Sequence, residues 1–208
     1  MTTAFLVLLA FYLLKILLFY SGARRASRSI RSTTRPAVSV IVAARNEANN
    51  IAACLESLAR LTYEGGDMEI IVVDDQSSDG TGAIIDAYAG KIPHMRKVRT
   101  EGVVYGLRGK ANAITQAIEQ SSGEIILTTD ADCRVPPRWV EETVAQYDDA
   151  TGCVCGMTLI DHDSVFTGMQ SVDWAYLLTI ASAGVGWVYA LSAVGNNMSF
   201  RRSAYEEV

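Results

Sequence analysis

Ile125-Ile126-Leu127-Thr128-Thr129-Asp130-Ala131-Asp132 is a run of β-type residues that ends in two carboxylates one residue apart. In an open α/β sheet, ligands bind outside the carboxyl ends of the strands, so acids at that position face a pocket. With only the small Ala131 between them, Asp130 and Asp132 leave room for a hard divalent cation or a sugar hydroxyl. Magnesium takes one or two carboxylates and completes its shell with water and phosphate oxygens, which suits this pair. An Asp-x-Asp pair is by itself a weak signal, because many such pairs are solvated loop acids. Its meaning depends on the chain around it.

Upstream, residues 38–42 read as a buried strand, followed by the loop Ala43-Ala44-Arg45-Asn46-Glu47. Residues 49–61 place Ile51, Leu55 and Leu58 at helical spacing. A second continuous apolar strand, 68–73, runs into Asp74-Asp75. The stretch 76–81 is a turn and helix start with Asp79 or Ser78 as N-cap, and 84–88 continues that helix. Residues 96–99 form a short edge strand, and 109–119 a helix with Ala111, Ile114, Ala117 and Ile118 inward. Solidly apolar strands alternating with helices predict an α/β fold with a mostly parallel sheet covered on both faces. The acids and the Arg-Asn-Glu loop then share one carboxyl edge, where a nucleotide would sit. Neither a Gly-x-x-x-x-Gly-Lys-[Ser/Thr] loop nor a Gly-x-Gly-x-x-Gly after the first strand is present, which argues against P-loop and dinucleotide enzymes.

Half of the 208 residues are hydrophobic and the mean hydropathy is +0.17, which points to membrane association. A net charge of -5 argues against general nucleic-acid binding. Residues 4–20 are apolar except for Lys15, whose stem can snorkel to an interface. Arg24, Arg25, Arg28, Arg31 and Arg35 follow, and no positive side chain precedes the apolar run. By the positive-inside rule this is an anchor with the globular part in the cytoplasm, not a cleaved leader. The expected division is a transmembrane anchor at 1–22, a basic linker at 23–36 and a globular domain at 37–208. Cys54, Cys133, Cys153 and Cys155 lack paired metal-finger spacing and read as buried, reduced thiols. Strand alternation puts Cys153 and Cys155 on one face.

With these motifs in order, the chain resembles a family 2 glycosyltransferase of the GT-A nucleotide-diphospho-sugar fold from Pro36 onward. Residues 38–47 resemble the family's first strand and Asn-Glu loop around the base and ribose, which implies Ala43, Arg45 and Glu47 as nucleotide contacts. Residues 72–81 are similar to its Val-Asp-Asp-x-Ser-x-Asp-Gly-Thr segment, where the second acid, here Asp75, accepts a hydrogen bond from the base. A carboxylate is acceptor-only, which suits the uracil imide N–H. Asp74, whose side chain points the opposite way from that of Asp75, reads as a structural acid. Gly109-Lys110-Ala111-Asn112-Ala113 resembles the helix start near the diphosphate, and Lys110 there brings charge toward phosphate. Asp130-Ala131-Asp132 looks like the family's Asp-x-Asp, with Asp132 on Mg2+ or Mn2+ and Asp130 nearer the ribose but available to the metal. Arg45 sits where relatives often carry an aromatic, and its planar guanidinium can stack similarly.

Downstream, Pro136-Pro137 starts a helix running to about Tyr147, and 152–160 is a strand. Residues 174–195 read as an inner helix and loop beside the acceptor site, not a second span. Residues 195–202 resemble the family's Gly-Asn-x-x-Phe-Arg strand, with Asn196 and Asn197 on the acceptor side. The resemblance implies an inverting transfer from a nucleotide sugar, expected to be a UDP-sugar, to a lipid-linked or glycan acceptor at the cytoplasmic membrane face. The acidic base of such enzymes is expected beyond Val208, and Glu206 and Glu207 are poor candidates for it. The chain therefore reads as a C-terminally truncated piece, inactive by itself. Two alternatives stand beside this reading: a nucleotide-sugar-binding but inactive chain, and a polyprenyl-phosphate glycosyltransferase. A nucleotidyltransferase would want a Gly-rich loop where Arg45-Asn46-Glu47 stands.

Overall fold

The structure, a computed structural model, describes residues 2–27, 31–161, 164–189 and 192–207. Arg28 of the expected linker, residues 190–191 and Val208 lie outside them. In chain order the elements are α1 (Thr2–Ala26), β1 (Val38–Ala44), α2 (Ile51–Leu58), β2 (Met68–Asp74), α3 (Thr81–Ala89), β3 (Met95–Arg99) and α4 (Gly109–Glu119). They continue as β4 (Ile125–Asp130), α5 (Trp139–Val144), β5 (Cys153–Cys155), α6 (Val165–Gly186), β6 (Asn197–Arg201) and α7 (Arg202–Glu206). The chain divides into two compact units, Met1–Ser29 with Met157–Ala193, and Ile30–Gly156 with Val194–Val208.

The second unit is a six-stranded sheet in the order β3-β2-β1-β4-β6-β5. The first four of these strands are mutually parallel, while β6 runs antiparallel to both β4 and β5. Strand alternation sorts the apolar residues onto two faces. Val38, Val40, Val42, Ile70 and Val72 pack with Leu55, Ile85 and Val140 in one core. Ile41, Ile71, Val73 and Ile126 pack with Ala113, Ala117 and Ile118 in the other. Both faces of the central strands are covered, which is why 38–42 and 68–73 are continuously apolar.

Local differences from the sequence reading have local causes. The α4 helix has the expected bounds but a rotated face. Ala111 is exposed, whereas Asn112 and Gln116 are buried because their amides bind the loop before the helix. The N-cap of α3 is neither Asp79 nor Ser78 but Gly80, at φ 97°, a backbone state that glycine adopts without strain. Helix α2 is shorter than 49–61, and β5 is shorter than 152–160. Beyond Gly156 the latter has no ladder partner, since β6 begins at Asn197. Cys54 is buried as expected, but Cys133 is only partly so, and Cys153 and Cys155 are exposed because β5 is a sheet edge.

In the first unit α1 packs on α6 through small residues. A Cβ on Gly186 would collide with the backbone of Gly22, and one on Gly22 with Ala183 and Trp187. Trp187 donates from Nε1 to the Leu18 carbonyl at 3.0 Å, and Arg25 lies 4.0 Å from its ring centroid. Helix α1 continues to Ala26, so Arg24 and Arg25 belong to its last turn and not to a linker. Helix α6 is not the inner helix expected of 174–195. It starts earlier, with a Ser164–Thr167 capping box, and buries only Leu178, Ala183 and Gly184. Phe166, Met169, Val172, Tyr176 and Leu177 are exposed. Among the described residues one helix, α1, is long and apolar enough to cross a membrane.

Candidate functional site

From β1 the strand order proceeds one way to β2 and β3, and the other way to β4. That reversal opens a crevice outside the carboxyl ends of β1 and β4, the position where open α/β sheets bind ligands. The in-register pair Ala43↔Asp130 marks its floor. A cleft of about 270 Å³ lies there, lined by Ala43, Ala44, Arg45, Glu47, Asp75, Gly109, Lys110, Asp130, Ala131 and Asp132.

Each wall is held by a distinct set of bonds. Asn46, at φ 56°, turns the loop after β1 and accepts from the Ser78 backbone at 2.9 Å. The Glu47 N–H donates to Thr81 Oγ1 at 2.8 Å, and the Ala48 N–H to Asp79 at 3.0 Å. Asp79 also accepts from the Thr81 N–H and hydroxyl, and these bonds, the hydroxyl's first, hold its carboxyl below the usual range. The loops after β1 and β2 are thus clipped together. Glu47 uses one carboxylate oxygen to accept from Asn50 at 2.8 Å.

Asp75 is buried to 7% exposure. One oxygen accepts from Thr100 at 2.9 Å, and the other lies 3.5 Å from the Arg45 guanidinium, which is itself largely exposed. Asp74 is structural: it accepts from the Ser77 N–H at 2.9 Å and lies 3.9 Å from Lys97. On the opposite wall Lys110 opens α4 and is ion-paired with Asp130. Gly109 precedes it at φ 57°, where a side chain would be strained. Ala131 is buried and Asp132 projects into solvent. Behind them, the Cys54 thiol approaches the Asp130 carbonyl at 3.6 Å. Burial, then Cys133 and the two aspartates, pushes that thiol up to about 12.

Ala43, Arg45, Glu47, Asp75, Lys110, Asp130 and Asp132, which the resemblance implies for nucleotide and metal, line this one cleft together with Ala131 of the same motif. Asn196 and Asn197 do not line it. The Asn197 side chain accepts from Trp139 Nε1 at 2.9 Å, and its carbonyl accepts from the Gly156 N–H at 2.8 Å. Sequence reasoning missed Thr100, because only the pairing of β3 on β2 brings it beside Asp75. It also missed an apolar cavity of about 600 Å³ that adjoins the cleft at Lys110, with Leu107, Ile114, Met198, Phe200 and Tyr205 in its walls.

A divalent cation fits this donor set. Among the described residues no three His, Cys, Asp or Glu side chains cluster as a ready-made cage. The cleft instead offers Asp132 and Asp130, the small carboxylate complement that Mg2+ and Mn2+ combine with water and phosphate.

Residues 39–208 match the model of glycosyl transferase family 2. The beta-monoglucosyldiacylglycerol synthase of Synechocystis sp. is 34% identical over 116 residues, covering 56% of this chain and 24% of that protein. The poly-beta-1,6-N-acetyl-D-glucosamine synthase of Staphylococcus aureus is 28% identical over 179 residues, covering 82% and 41%. The chain therefore spans less than half the length of these relatives. Among solved structures, a mannosyltransferase from Pyrobaculum calidifontis in complex with GDP-Man and Mn2+ superposes with a TM-score of 0.69 at 26% identity, covering 92% of this chain and 53% of that one. The sheet order and these matches are those of a GT-A-like fold, and the chain belongs to glycosyl transferase family 2.

Proposed function

We propose that the cleft binds the nucleoside diphosphate sugar of a membrane-anchored, inverting glycosyltransferase that serves a lipid-linked or glycan acceptor at the cytoplasmic face. The observation that carries this reading is the convergence of Arg45, Asp75, Lys110, Asp130 and Asp132 on one crevice at the sheet's switch point. Asp75 accepts from the base, with Thr100 and Arg45 fixing its two oxygens. Arg45 lies over the base, and Asp130 meets the ribose. Lys110, released from Asp130, turns to the diphosphate, where its charge and the first N–H groups of α4 stabilise negative charge. Asp132, with Asp130, would hold Mg2+ or Mn2+. When bound, the cation offsets the charge that grows on the departing nucleoside diphosphate. The Mn2+ in the mannosyltransferase complex supports a divalent metal.

The anchor rests on α1, whose apolar surface is exposed along nearly its whole length. The exposed apolar side of α6 supports its lying against lipid. The apolar cavity that shares Lys110 with the cleft suits the hydrocarbon of a lipid-linked acceptor. The Synechocystis relative, by its name a diacylglycerol glycolipid synthase, supports that acceptor class. The GDP-Man of the mannosyltransferase favours a second donor reading, guanosine in place of uridine, since Asp75 can accept from either base. Calorimetric titration of UDP and of GDP, with and without Mn2+, tests both. We expect Mn2+-dependent binding of one nucleotide and its loss in Asp132→Ala. Equal affinity of wild type and Asp132→Ala in Mn2+ would remove the metal assignment.

A further inference from the structure

Charge is unevenly spread along this chain. Residues 1–35 carry Lys15, Arg24, Arg25, Arg28, Arg31 and Arg35 and no acidic residue, which leaves 12 of the 18 Lys and Arg against all 23 Asp and Glu in residues 36–208. The net charge of -5 is therefore the sum of a basic N-terminal segment and a remainder at -11. An anionic surface attracts the first and repels the second.

The cations of that segment differ in what they already bind. Arg35 is engaged: its guanidinium donates to the Glu64 carbonyl at 3.2 Å and to the Thr34 carbonyl at 3.0 Å. Lys15 lies within α1, 5.0 Å from the Tyr12 ring centroid. Arg24, Arg25 and Arg31 are exposed, and among the described residues none of the three is ion-paired with a carboxylate. Arg24 and Arg25 stand in the last turn of α1, one turn beyond the exposed apolar surface that runs from Phe5 to Tyr20. Each lies over an aromatic ring, Arg24 at 5.9 Å from the Tyr20 centroid and Arg25 at 4.0 Å from that of Trp187. Tyr and Trp rings concentrate at the headgroup level of a bilayer, so guanidinium groups stacked on them stand at the depth of lipid phosphates. Stacking uses the face of a guanidinium. Apart from a long 3.5 Å bond from Arg24 to the Tyr20 hydroxyl, it leaves the forked N–H edge that matches phosphate oxygens in pairs.

We propose that Arg24, Arg25 and Arg31 form a collar that binds the phosphates of anionic phospholipids, so that the chain selects an anionic leaflet over a zwitterionic one. This rests on the reading of α1 as a membrane anchor. A zwitterionic headgroup carries its own cation beside the phosphate, whereas an anionic headgroup leaves its charge to the arginines. Selectivity follows from that difference, at about fivefold for each arginine near the surface. The acidic remainder is repelled by the same surface, so the attraction is confined to the collar. It is also screened by salt, with a Debye length of about 8 Å at physiological ionic strength.

The test incubates the full chain, delipidated in a nonionic detergent, with equal amounts of phosphatidylglycerol and phosphatidylcholine. The protein is repurified and its bound lipids are counted by mass spectrometry. We expect phosphatidylglycerol to be enriched about fivefold or more at low salt, and the enrichment to fall at high salt. It should disappear in the triple variant Arg24→Gln, Arg25→Gln, Arg31→Gln and persist when the same three positions become Lys. Equal retention of the two lipids by wild type, or an unchanged preference in the Gln variant, would overturn the proposal. Loss of the preference in the Lys variant would also overturn it, because the Gln effect would then be structural. Displacement of phosphatidylglycerol by inorganic phosphate at constant ionic strength would make this a site for free phosphate and overturn the lipid assignment. Flotation with purely zwitterionic liposomes reports the anchor separately. A chain that floats without anionic preference overturns the collar alone, and one that does not float overturns the anchor reading and the collar with it.

Discussion

Gly123 sits where the chain enters β4, and its N–H donates to Ser39 Oγ at 2.8 Å. A Cβ there would lie 2.6 Å from both that oxygen and the Val38 carbonyl carbon. The second contact is backbone in a central strand and cannot give way. Gly123→Ala should lower stability by about 1–3 kcal/mol through overpacking, read by urea denaturation. Asp75 is a different kind of residue, since its buried carboxylate is partnered by Thr100 and Arg45 and lines the cleft. Asp75→Asn keeps the shape but loses the charge that faces Arg45 and converts one oxygen to a donor. Nucleotide affinity should fall about tenfold or more, the equivalent of one lost charge-assisted bond, by calorimetry. A fold melt within error of wild type would mark that loss as a binding effect.

At the scale of elements, α4 does more than cover the sheet. Its buried amides grip the preceding loop: Gln116 exchanges two bonds with the Glu101 backbone, at 2.9 and 3.2 Å. Asn112 binds the Val104 N–H and the Gly102 carbonyl, both at 2.9 Å. This loop leads into Gly109 and Lys110, so the grip positions the Lys110 end of the cleft. Gln116→Ala should cost about 1–2 kcal/mol and raise amide exchange at Glu101, the site of its lost bond. If exchange there is unchanged, the loop is held by other means. The helix pair α1 and α6 shows the opposite economy, a close approach of small residues with large apolar ones turned outward.

Across the whole sheet unit, the end remote from the cleft is tied by one carboxylate. Glu69 on β2 accepts from Ser39 on β1 at 2.7 Å and from the Ser122 N–H and hydroxyl at 2.6 and 2.9 Å, with Arg96 of β3 at 3.4 Å. Burial alone would raise its carboxyl, but the bonds from Ser122 and Ser39, and then Arg96, outweigh it and lower it below 4.5. A depressed carboxylate contributes stability that is fully present above its unfolded value and lost as pH falls through the folded value. Glu69→Gln should therefore destabilise by roughly 1–2 kcal/mol at neutral pH and flatten the acid limb of the stability profile below pH 4.5. An acid limb identical to wild type would place that pH dependence elsewhere.

The sequence by itself determined the central strands, the bounds of α4, the carboxyl-edge acids and hence the family. These are encoded in short-range patterns: continuous apolar runs for strands covered on both faces, and polar residues where those runs stop. It also placed Arg45, Asp75 and Asp132 on one edge, because parallel strands bring their ends together, while Lys110 came from the family resemblance. Tertiary structure alone decided how those groups are paired. Thr100 reaches Asp75 only through the β2–β3 ladder, and Lys110 meets Asp130 only where α4 abuts β4. Helical spacing misjudged the α4 face because buried amides are polar in the sequence and satisfied only in the fold. The exposure of Cys153 and Cys155 likewise followed from β5 being the last strand of the sheet, a property of strand order that no local pattern records.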